Sequence, residues 1–250
     1  MASVQGLTAG EAHRRMAALP VADLTTILGG RDPLVLAPHP DDESLGCGGL
    51  LAACAATAGR PAVLVLTDGA GSHPNSRRYP PERLRALREA EAGKAVAALG
   101  VAADRLAFLR VPDTAAPTAG PAFAAAVDAV VAALGAWRCG ALLAPWRHDP
   151  HCDHLAAHLM AQDAARRAGI LHLAYPVWGW TLPEDVPLDG PAPEGWRLDI
   201  AAQLSAKRRA IAAHGSQYAG LIDDDPSGFQ LEPSFLARFH APFETFLNNP

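Results

Sequence analysis

Short apolar runs alternate with longer helix-forming segments through most of the chain, and this alternation limits the possible folds more than any other feature. The strand-like runs occupy residues 33–38, 61–67, 105–111 and 141–146. The helix-like segments between and after them occupy residues 46–59, 81–100, 120–137 and 151–168. This repeat predicts an α/β fold, a Rossmann-like three-layer sandwich with a mainly parallel sheet. Ligands of such sheets bind beyond the carboxyl ends of the strands, so reactive residues are expected directly after a strand.

The flanking segments extend the same pattern with weaker signals. Residues 9–29 predict one or two short helices, 171–180 and 195–200 two further strands, 201–214 a helix, and the remainder an irregular segment. We expect residues 1–250 to form one domain with its core in 30–180. Residues 181–250 are expected to complete that fold and are a candidate to line the pocket.

Composition narrows the class of protein. Hydrophobic residues make up 50% of the chain and charged residues 19%, which is typical of a globular protein. A net charge of −5 without a long basic run argues against nucleic acid as a partner. The cysteines form no CxxC pair, the N-terminus lacks an apolar signal core, and no apolar run looks long enough to span a bilayer. We therefore expect a cytoplasmic protein without a transmembrane segment; the oligomeric state stays open, a homo-oligomer included.

Two dense polar clusters each follow a predicted strand directly. The first is His39-Pro40-Asp41-Asp42-Glu43, and the second runs from Arg147 to His154. Burying such groups unpaired is costly, and a cation that they share would offset that cost. His39 and Asp42 are three apart in a tight turn and can face one point. The third ligand has to come from the second cluster, where the candidates are His148, His151, His154 and the nearby His158.

Other site motifs are incomplete. Gly46-Cys47-Gly48-Gly49 resembles a dinucleotide-binding fingerprint, but position 51 is Leu51 where the motif needs glycine. The chain contains neither a P-loop GxxxxGK[ST] nor a GxSxG nucleophile elbow. Cys152 lies within the second cluster and is an alternative candidate for a nucleophile.

The two clusters resemble the signatures of the PIG-L/LmbE family of zinc-dependent N-acetylglucosaminyl deacetylases. Residues 38–43 match the family's Pro-His-Pro-Asp-Asp-Glu without a gap, and residues 151–154 match its His-x-Asp-His. Weaker similarities lie at 67–69, at Arg88 with Glu91, and at 108–113, so the resemblance covers roughly residues 30–175. The chain differs at Ala70, where many members carry Glu.

The resemblance implies a role for each matching residue. His39, Asp42 and His154 would bind the metal, expected to be Zn²⁺ although Fe²⁺ or Co²⁺ fits the same ligands. Asp41 would be the general base. His151 would be protonated and would polarise the amide carbonyl or donate a proton to the leaving amine, with Asp153 orienting and charging it. The candidates for substrate binding are Arg88, Asp113, Arg77 and Arg147.

The expected activity is therefore removal of an N-acetyl group from an N-acetylglucosamine-type sugar conjugate, releasing acetate and a free amine. Two alternatives stay open: an N-acyl hydrolase acting on a non-sugar natural-product or lipid amide, and a non-catalytic sugar-binding module. Trp178, Trp180, the loop 70–80 and residues 214–218 are further candidates for the pocket, and the identity of the sugar is not specified by the sequence.

Overall fold

A single mixed sheet organises the molecule. The structure, a computed structural model, describes residues 7–248. Eight strands within that range form the sheet in the order β1-β7-β8-β6-β5-β2-β3-β4. The strands are β1 Val21–Ala22, β2 Pro33–Ala37, β3 Ala62–Thr67, β4 Leu106–Val111, β5 Ala141–Pro145, β6 Leu171–Tyr175, β7 Gly195–Asp199 and β8 Phe243–Leu247.

Helices cover both faces of this sheet. They are α1 Ala9–Ala18, α2 Leu24–Leu28, α3 Asp42–Ala56, α4 Pro81–Ala98, α5 Gly120–Trp137, α6 Cys152–Ala168, α7 Leu204–Ala213, α8 Gly215–Tyr218 and α9 Pro233–Phe239. One core cluster joins α3, α4, α7 and α9 to the sheet, and a second joins α5 and α6 to its other face. The expected three-layer α/β sandwich with a mainly parallel sheet is confirmed.

The central strand β2 explains where a site can form. It pairs in parallel with β3 on one side and with β5 on the other, and every one of its residues is buried. A strand covered on both faces must be apolar throughout, which is why Pro33–Ala37 shows no alternation. The chain runs from β2 to β3 and β4 on one side and later returns to β5 on the other. The crevice at the ends of β2 and β5 is thus a topological switch point.

The prediction of an irregular C-terminal segment was wrong. This part of the chain contains α8, α9 and strand β8, which lies between β6 and β7 and is antiparallel to both. Glu244 is buried in this strand and interrupts the apolar run by which a core strand is recognised in a sequence. Lys207 donates a 2.6 Å hydrogen bond to Glu244, and the two charges stabilise each other inside the core.

Three other sequence predictions need correction. The strand predicted at 171–180 ends at Tyr175, and Trp178–Thr181 forms a 3-10 helix instead. The helix predicted from residue 46 begins at Asp42, because the polar cluster itself forms its first turn. In the described part of the chain, α5 does have the length and apolarity of a membrane-spanning helix, with 18 residues at a mean hydropathy of 1.5. Its residues Val127, Val130 and Leu134 are buried in the core beneath it, and a helix packed on a sheet can share that composition.

Candidate metal centre and active site

The turn between β2 and α3 presents the first polar cluster. It is closed by a hydrogen bond from the Asp42 N–H to the His39 carbonyl (3.3 Å). Asp41 has a φ of 150°, a region that strains any residue with a side chain, and its N–H donates to Glu43 Oε2 at 3.0 Å. Strained backbone of this kind persists where neighbouring contacts hold it, and here it directs Asp41 into the pocket.

The turn between β5 and α6 presents the second cluster beside the first. His151 is the N-cap of α6, and its Nδ1 accepts the Asp153 N–H at 3.2 Å. His154 lies in the first turn of that helix and is fully buried, with its ring centroid 5.5 Å from that of His39. The two strand ends therefore bring together the residues that the sequence placed there.

His39, Asp42 and His154 converge as a possible donor set for a cation. Asp42 Oδ2 lies 3.2 Å from His39 Nδ1 and 3.2 Å from His154 Nε2. Ligand atoms about a tetrahedral zinc are about 3.3 Å apart, so this spacing suits a small divalent ion. His154 Nε2 is buried, and its 3.2 Å approach to Asp42 Oδ2 does not have hydrogen-bond geometry. A buried nitrogen placed in this way suits a metal ligand. The residues present thus fit a metal ion.

On both imidazoles, carboxylates contact the ring nitrogen that does not face Asp42. His39 Nε2 lies 3.1 Å from Asp153 Oδ2 and 3.3 Å from Asp113 Oδ1, while His154 Nδ1 lies 2.9 Å from Asp149 Oδ2. Such contacts fix the tautomer and orientation of metal-binding histidines. Sequence reasoning missed Asp149, although it stands in the second cluster.

Three groups of side chains near this point have ligand atoms within 4.8 Å of one another. They are His39 with His151 and His154, His151 with Cys152 and Asp153, and His39 with Asp113 and Asp153. Asp42 is in none of these groups, and its place in the donor set rests on its 3.2 Å contacts with His39 and His154. The Asp153 oxygens already accept the N–H groups of Thr114 (2.7 Å) and Ala116 (3.0 Å). We therefore interpret Asp153 as a partner of the His39 ring rather than as a ligand.

The electrostatics of the metal-free site favour charged histidines. Burial alone would lower the pKa of His154, but Asp42 and Asp149 raise it to about 9. Burial also opposes charge on His39, whose contacts with Asp113, Asp153 and Asp42 nevertheless hold its pKa well above the ordinary value. The pKa of Asp42 is lowered by the same two rings despite its burial. Protons thus occupy the nitrogens that a metal would need.

Arg88 holds Asp41 in place. Its guanidinium donates to the carbonyls of Gly69 and Pro40 at 2.9 Å each, and to Asp41 Oδ2 at 3.2 Å. Gly69 has a φ of 63°, and a Cβ at that position would meet the Arg88 guanidinium within 3 Å. Arg88 is only 3% exposed, and its described contacts are to the backbone and to Asp41. It also lines the pocket, so its role as a sugar contact stays a prediction.

Asp41 itself combines burial with a nearby cation. Burial raises its pKa to about 6, and the charge of Arg88 opposes that rise. Glu43 supports the same turn from below, since it accepts the Asp41 N–H and contacts Ser44 Oγ (2.6 Å) and His214 Nε2 (3.0 Å). A carboxylate with this pKa can take up and release a proton near neutral pH.

The Asp153 carboxylate does not orient the His151 ring as expected, although its charge does act to raise the pKa of that ring. The Asp153 carboxylate faces His39 and two backbone N–H groups, and only its backbone N–H reaches His151. Burial and then the neighbouring His39 and His154 lower the pKa of His151, which favours the neutral ring. With Nδ1 accepting a hydrogen bond, the proton of that neutral ring belongs on Nε2.

Most of the remaining candidates do not line the pocket. Arg147 contacts Asp189 (3.4 Å), and Arg77 is exposed with its backbone N–H on Asp224; neither lines the pocket, contrary to their prediction as substrate contacts. His158 contacts the Pro145 carbonyl, His148 packs on Trp146, and Cys152 is exposed with a raised pKa. Asp113 does line the pocket.

The reactive groups open into a cavity of about 170 Å³. Its polar lining is His39, Asp41, Asp42, Arg88, Asp113 and His151, with Gly71, Ser72, Thr114 and Gln217, and its apolar lining is Leu45, Trp178, Phe229 and Leu231. Trp178 and part of 214–218 therefore reach the pocket as anticipated, whereas Trp180 faces a separate cavity.

Two histidines and an aspartate thus gather at the switch point of a mainly parallel α/β sheet. This arrangement makes the site a candidate metal centre. The PIG-L family, described as GlcNAc-PI de-N-acetylase, matches residues 34–165, which is 132 of the 250 residues. This chain belongs to that family.

Individual relatives agree with this assignment. The 2'-N-acetylparomamine deacetylase of Streptomyces fradiae is 31% identical, over 79% of this chain and 71% of the relative. The 1D-myo-inositol 2-acetamido-2-deoxy-alpha-D-glucopyranoside deacetylase of Rhodococcus erythropolis is 28% identical, over 79% and 83%. The solved N,N'-diacetylchitobiose deacetylase of Pyrococcus horikoshii shares the fold, with a TM-score of 0.64 at 19% identity over 90% of this chain and 86% of that one.

Proposed function

We propose that the protein is a metal-dependent hydrolase that removes the N-acetyl group from an N-acetylglucosamine-type sugar conjugate, releasing acetate and a free amine. The observation that carries this proposal is the position of Asp42 Oδ2, 3.2 Å from a ring nitrogen of both His39 and His154, with Asp41 next to it on the pocket. The two curated relatives named above, both deacetylases of N-acetylated amino sugars, support the substrate class.

His39, Asp42 and His154 would hold the cation, which we propose to be Zn²⁺, with Fe²⁺ and Co²⁺ compatible with the same donors. When bound, it supplies Lewis-acid polarisation of the amide carbonyl and makes water easier to ionise. The carboxylates on the other ring nitrogens, Asp153 for His39 and Asp149 for His154, would favour the tautomers that leave the metal-facing nitrogens without a proton.

Asp41 is the proposed general base. It lies beside the metal donors without being needed as one, and Arg88 fixes the direction of its carboxylate. In its ionised form it takes a proton from the attacking water. The protonated carboxyl, whose pKa is raised by burial, can then pass that proton to the leaving nitrogen.

His151 is the proposed donor to the carbonyl oxygen. A neutral ring whose Nδ1 accepts the Asp153 N–H carries its proton on Nε2. That N–H can stabilise negative charge as it develops on the oxygen, an effect typically worth about 3–4 kcal/mol for one such donor in other hydrolases. Of the two roles that the sequence allowed for His151, the geometry favours polarisation over proton donation.

The test is amine release from a panel of N-acetylglucosamine conjugates by metal-stripped protein with and without added Zn²⁺. We expect release only with metal. A control variant, Asp128→Asn, alters an exposed carboxylate on α5 and should release amine at the wild-type rate when metal is added. Release only from non-sugar N-acyl compounds would replace the sugar substrate, and tight sugar binding without release under any metal would favour a binding module.

A further inference from the structure

One side of the pocket is apolar and is built by parts of the chain beyond the family match at 34–165. We call Trp178, Phe229 and Leu231 the apolar wall. The Trp178 ring stacks on Phe235 with centroids 4.3 Å apart and an interplanar angle of 12°. It also meets Phe229 edge-on at 5.8 Å. These contacts fix aromatic surface in the same pocket that the reactive groups line.

Hydrogen bonds hold the apolar wall in a defined position. The Phe229 N–H donates to the Ser72 carbonyl and the Leu231 N–H to the Gln217 carbonyl, both at 2.7 Å. Gly228 packs so closely on the ring of His73 that a side chain there would overlap it. A wall that is already ordered loses little conformational entropy when a ligand binds.

The loop 70–80 is fastened to the same segment by acidic side chains. Asp224 accepts the backbone N–H groups of Arg77 and Arg78 at 2.9 Å each and the Ser76 hydroxyl at 2.7 Å. Asp225 accepts the Asn75 N–H at 2.8 Å. The loop 70–80 and residues 221–231 are therefore one hydrogen-bonded unit on the rim of the pocket.

The wall leaves apolar surface open to a ligand. Phe229 lines the pocket and is 37% exposed, so it has apolar surface that a ligand can cover. Gln217, on the same side, is fully buried and its Oε1 has no hydrogen-bond partner among the described residues. An unmatched acceptor beside an apolar surface suits a ligand that brings both a hydroxyl and an apolar group.

We propose that the apolar wall binds an apolar, ring-sized group attached to the amino sugar, so that the substrate is an N-acetylglucosaminide with an aromatic aglycone. The Gln217 side chain accepts a hydroxyl of the same ligand. Aromatic groups suit this wall because Phe229 and Trp178 can meet them edge-to-face or in offset stacks. This inference rests on the proposed function, since it names the class of sugar conjugate for the same site.

The experiment compares phenyl and methyl N-acetylglucosaminides in both anomeric series, with kcat/KM measured by amine release. In the productive series we expect a preference of about tenfold or more for the phenyl compound, as is typical when a pocket buries a ring's worth of extra apolar surface. Phe229→Ala should reduce the ratio to near one. Leu221→Ala is the matched control, because Leu221 is an exposed apolar residue of the same segment (44%, against 37% for Phe229) that does not line the pocket.

A binding measurement separates this inference from the proposed function. Phenyl and methyl glucosaminides, the deacetylated products, are titrated by calorimetry into metal-stripped protein and into both variants, after thermal melts show that each is folded. Tighter binding of the phenyl compound that Phe229→Ala removes upholds the apolar wall even if nothing is hydrolysed. Hydrolysis of both acetylated compounds with equal kcat/KM, or an unchanged ratio in Phe229→Ala, overturns it and leaves the deacetylase proposal standing.

Discussion

At the scale of single residues, the account depends on what each carboxylate near the pocket faces. The sequence placed Asp41, Asp42, Asp149 and Asp153 in the right clusters, but it could not say which imidazole each one would meet. Asp153 contacts His39 across 114 residues of sequence. Asp149 contacts His154 five residues along. The direction of each carboxylate depends on how the β2–α3 and β5–α6 turns pack against each other. The spacing of residues in the sequence does not give this information.

Asp41→Asn should abolish turnover while the metal stays bound. A general base typically contributes about 10²–10⁴ in rate, so kcat should fall by that factor with stoichiometric metal retained.

Burial raises the pKa of Asp41 above the unfolded value of 3.8 to about 6, so the ionised carboxylate destabilises the folded protein at pH above 6. The metal-free variant should therefore melt at a higher temperature than wild type at pH 8. Lost metal, or normal turnover, would contradict the role assigned to Asp41.

Arg88 should act on Asp41 rather than on the substrate. Its positive charge lowers the pKa of Asp41, so removing that charge should move the acidic limb of the kcat–pH profile to higher pH. Arg88→Met should therefore lower kcat more than it raises KM, whereas Arg88→Lys should restore the position of the limb in part. A large rise in KM with an unmoved profile would instead indicate a direct sugar contact.

At the scale of elements, the order of strands and helices from β2 to α6 could be read from the sequence because these strands are mainly apolar runs. β2 and β5 are examples, and the two polar clusters at their ends could be located for the same reason. The two-residue strand β1, which lies within a segment predicted as helical, was missed. Boundaries failed where polar residues enter an element. Asp42 and Glu43 are buried in the first turn of α3, where their charges suit the positive end of the helix, yet they look like loop residues in the sequence.

The turn between β5 and α6 gives a prediction for metal affinity. Asp149 orients His154 and also accepts the N–H groups of Val177, Trp178 and Gly179 at 2.6–3.3 Å. Asp149→Asn should weaken metal binding by about 10–100-fold, the usual effect of losing a partner behind a histidine ligand. Competition with a chelator measures it. Asp189→Asn, at an exposed carboxylate on the nearby Arg147, should change nothing.

At the scale of the whole molecule, the C-terminal segment belongs to the core of the sheet. β8 lies between β6 and β7, and its buried Glu244 also accepts the N–H groups of Gly49 (2.6 Å) and Leu50 (2.8 Å) in α3. We propose that residues 1–250 fold as one unit. The sequence predicted one domain but not strand β8, because a charged residue at a core position breaks the apolar pattern and its partner Lys207 lies 37 residues away.

Breaking that buried pair should destabilise the entire fold. Lys207→Met leaves Glu244 without its cation in the core, which typically costs about 3–5 kcal/mol of unfolding free energy. Denaturant unfolding monitored by circular dichroism measures the loss. Asp223→Asn removes an exposed pair with Arg78 and should cost about 1 kcal/mol or less. Equal effects from the two variants would show that β8 contributes little to the core.

The measurement that tests the central claim most directly is titration of metal-stripped protein with Zn²⁺, followed by calorimetry in buffers of different ionisation enthalpy and by amine release. With the pKa of His154 at about 9 and that of His39 well above its ordinary value, binding at pH 7 should release about two protons. Activity should return at one equivalent of metal, and His154→Ala should lose both binding and activity. Activity that survives removal of the metal, or tight binding in His154→Ala, would contradict a catalytic metal held by His39, Asp42 and His154.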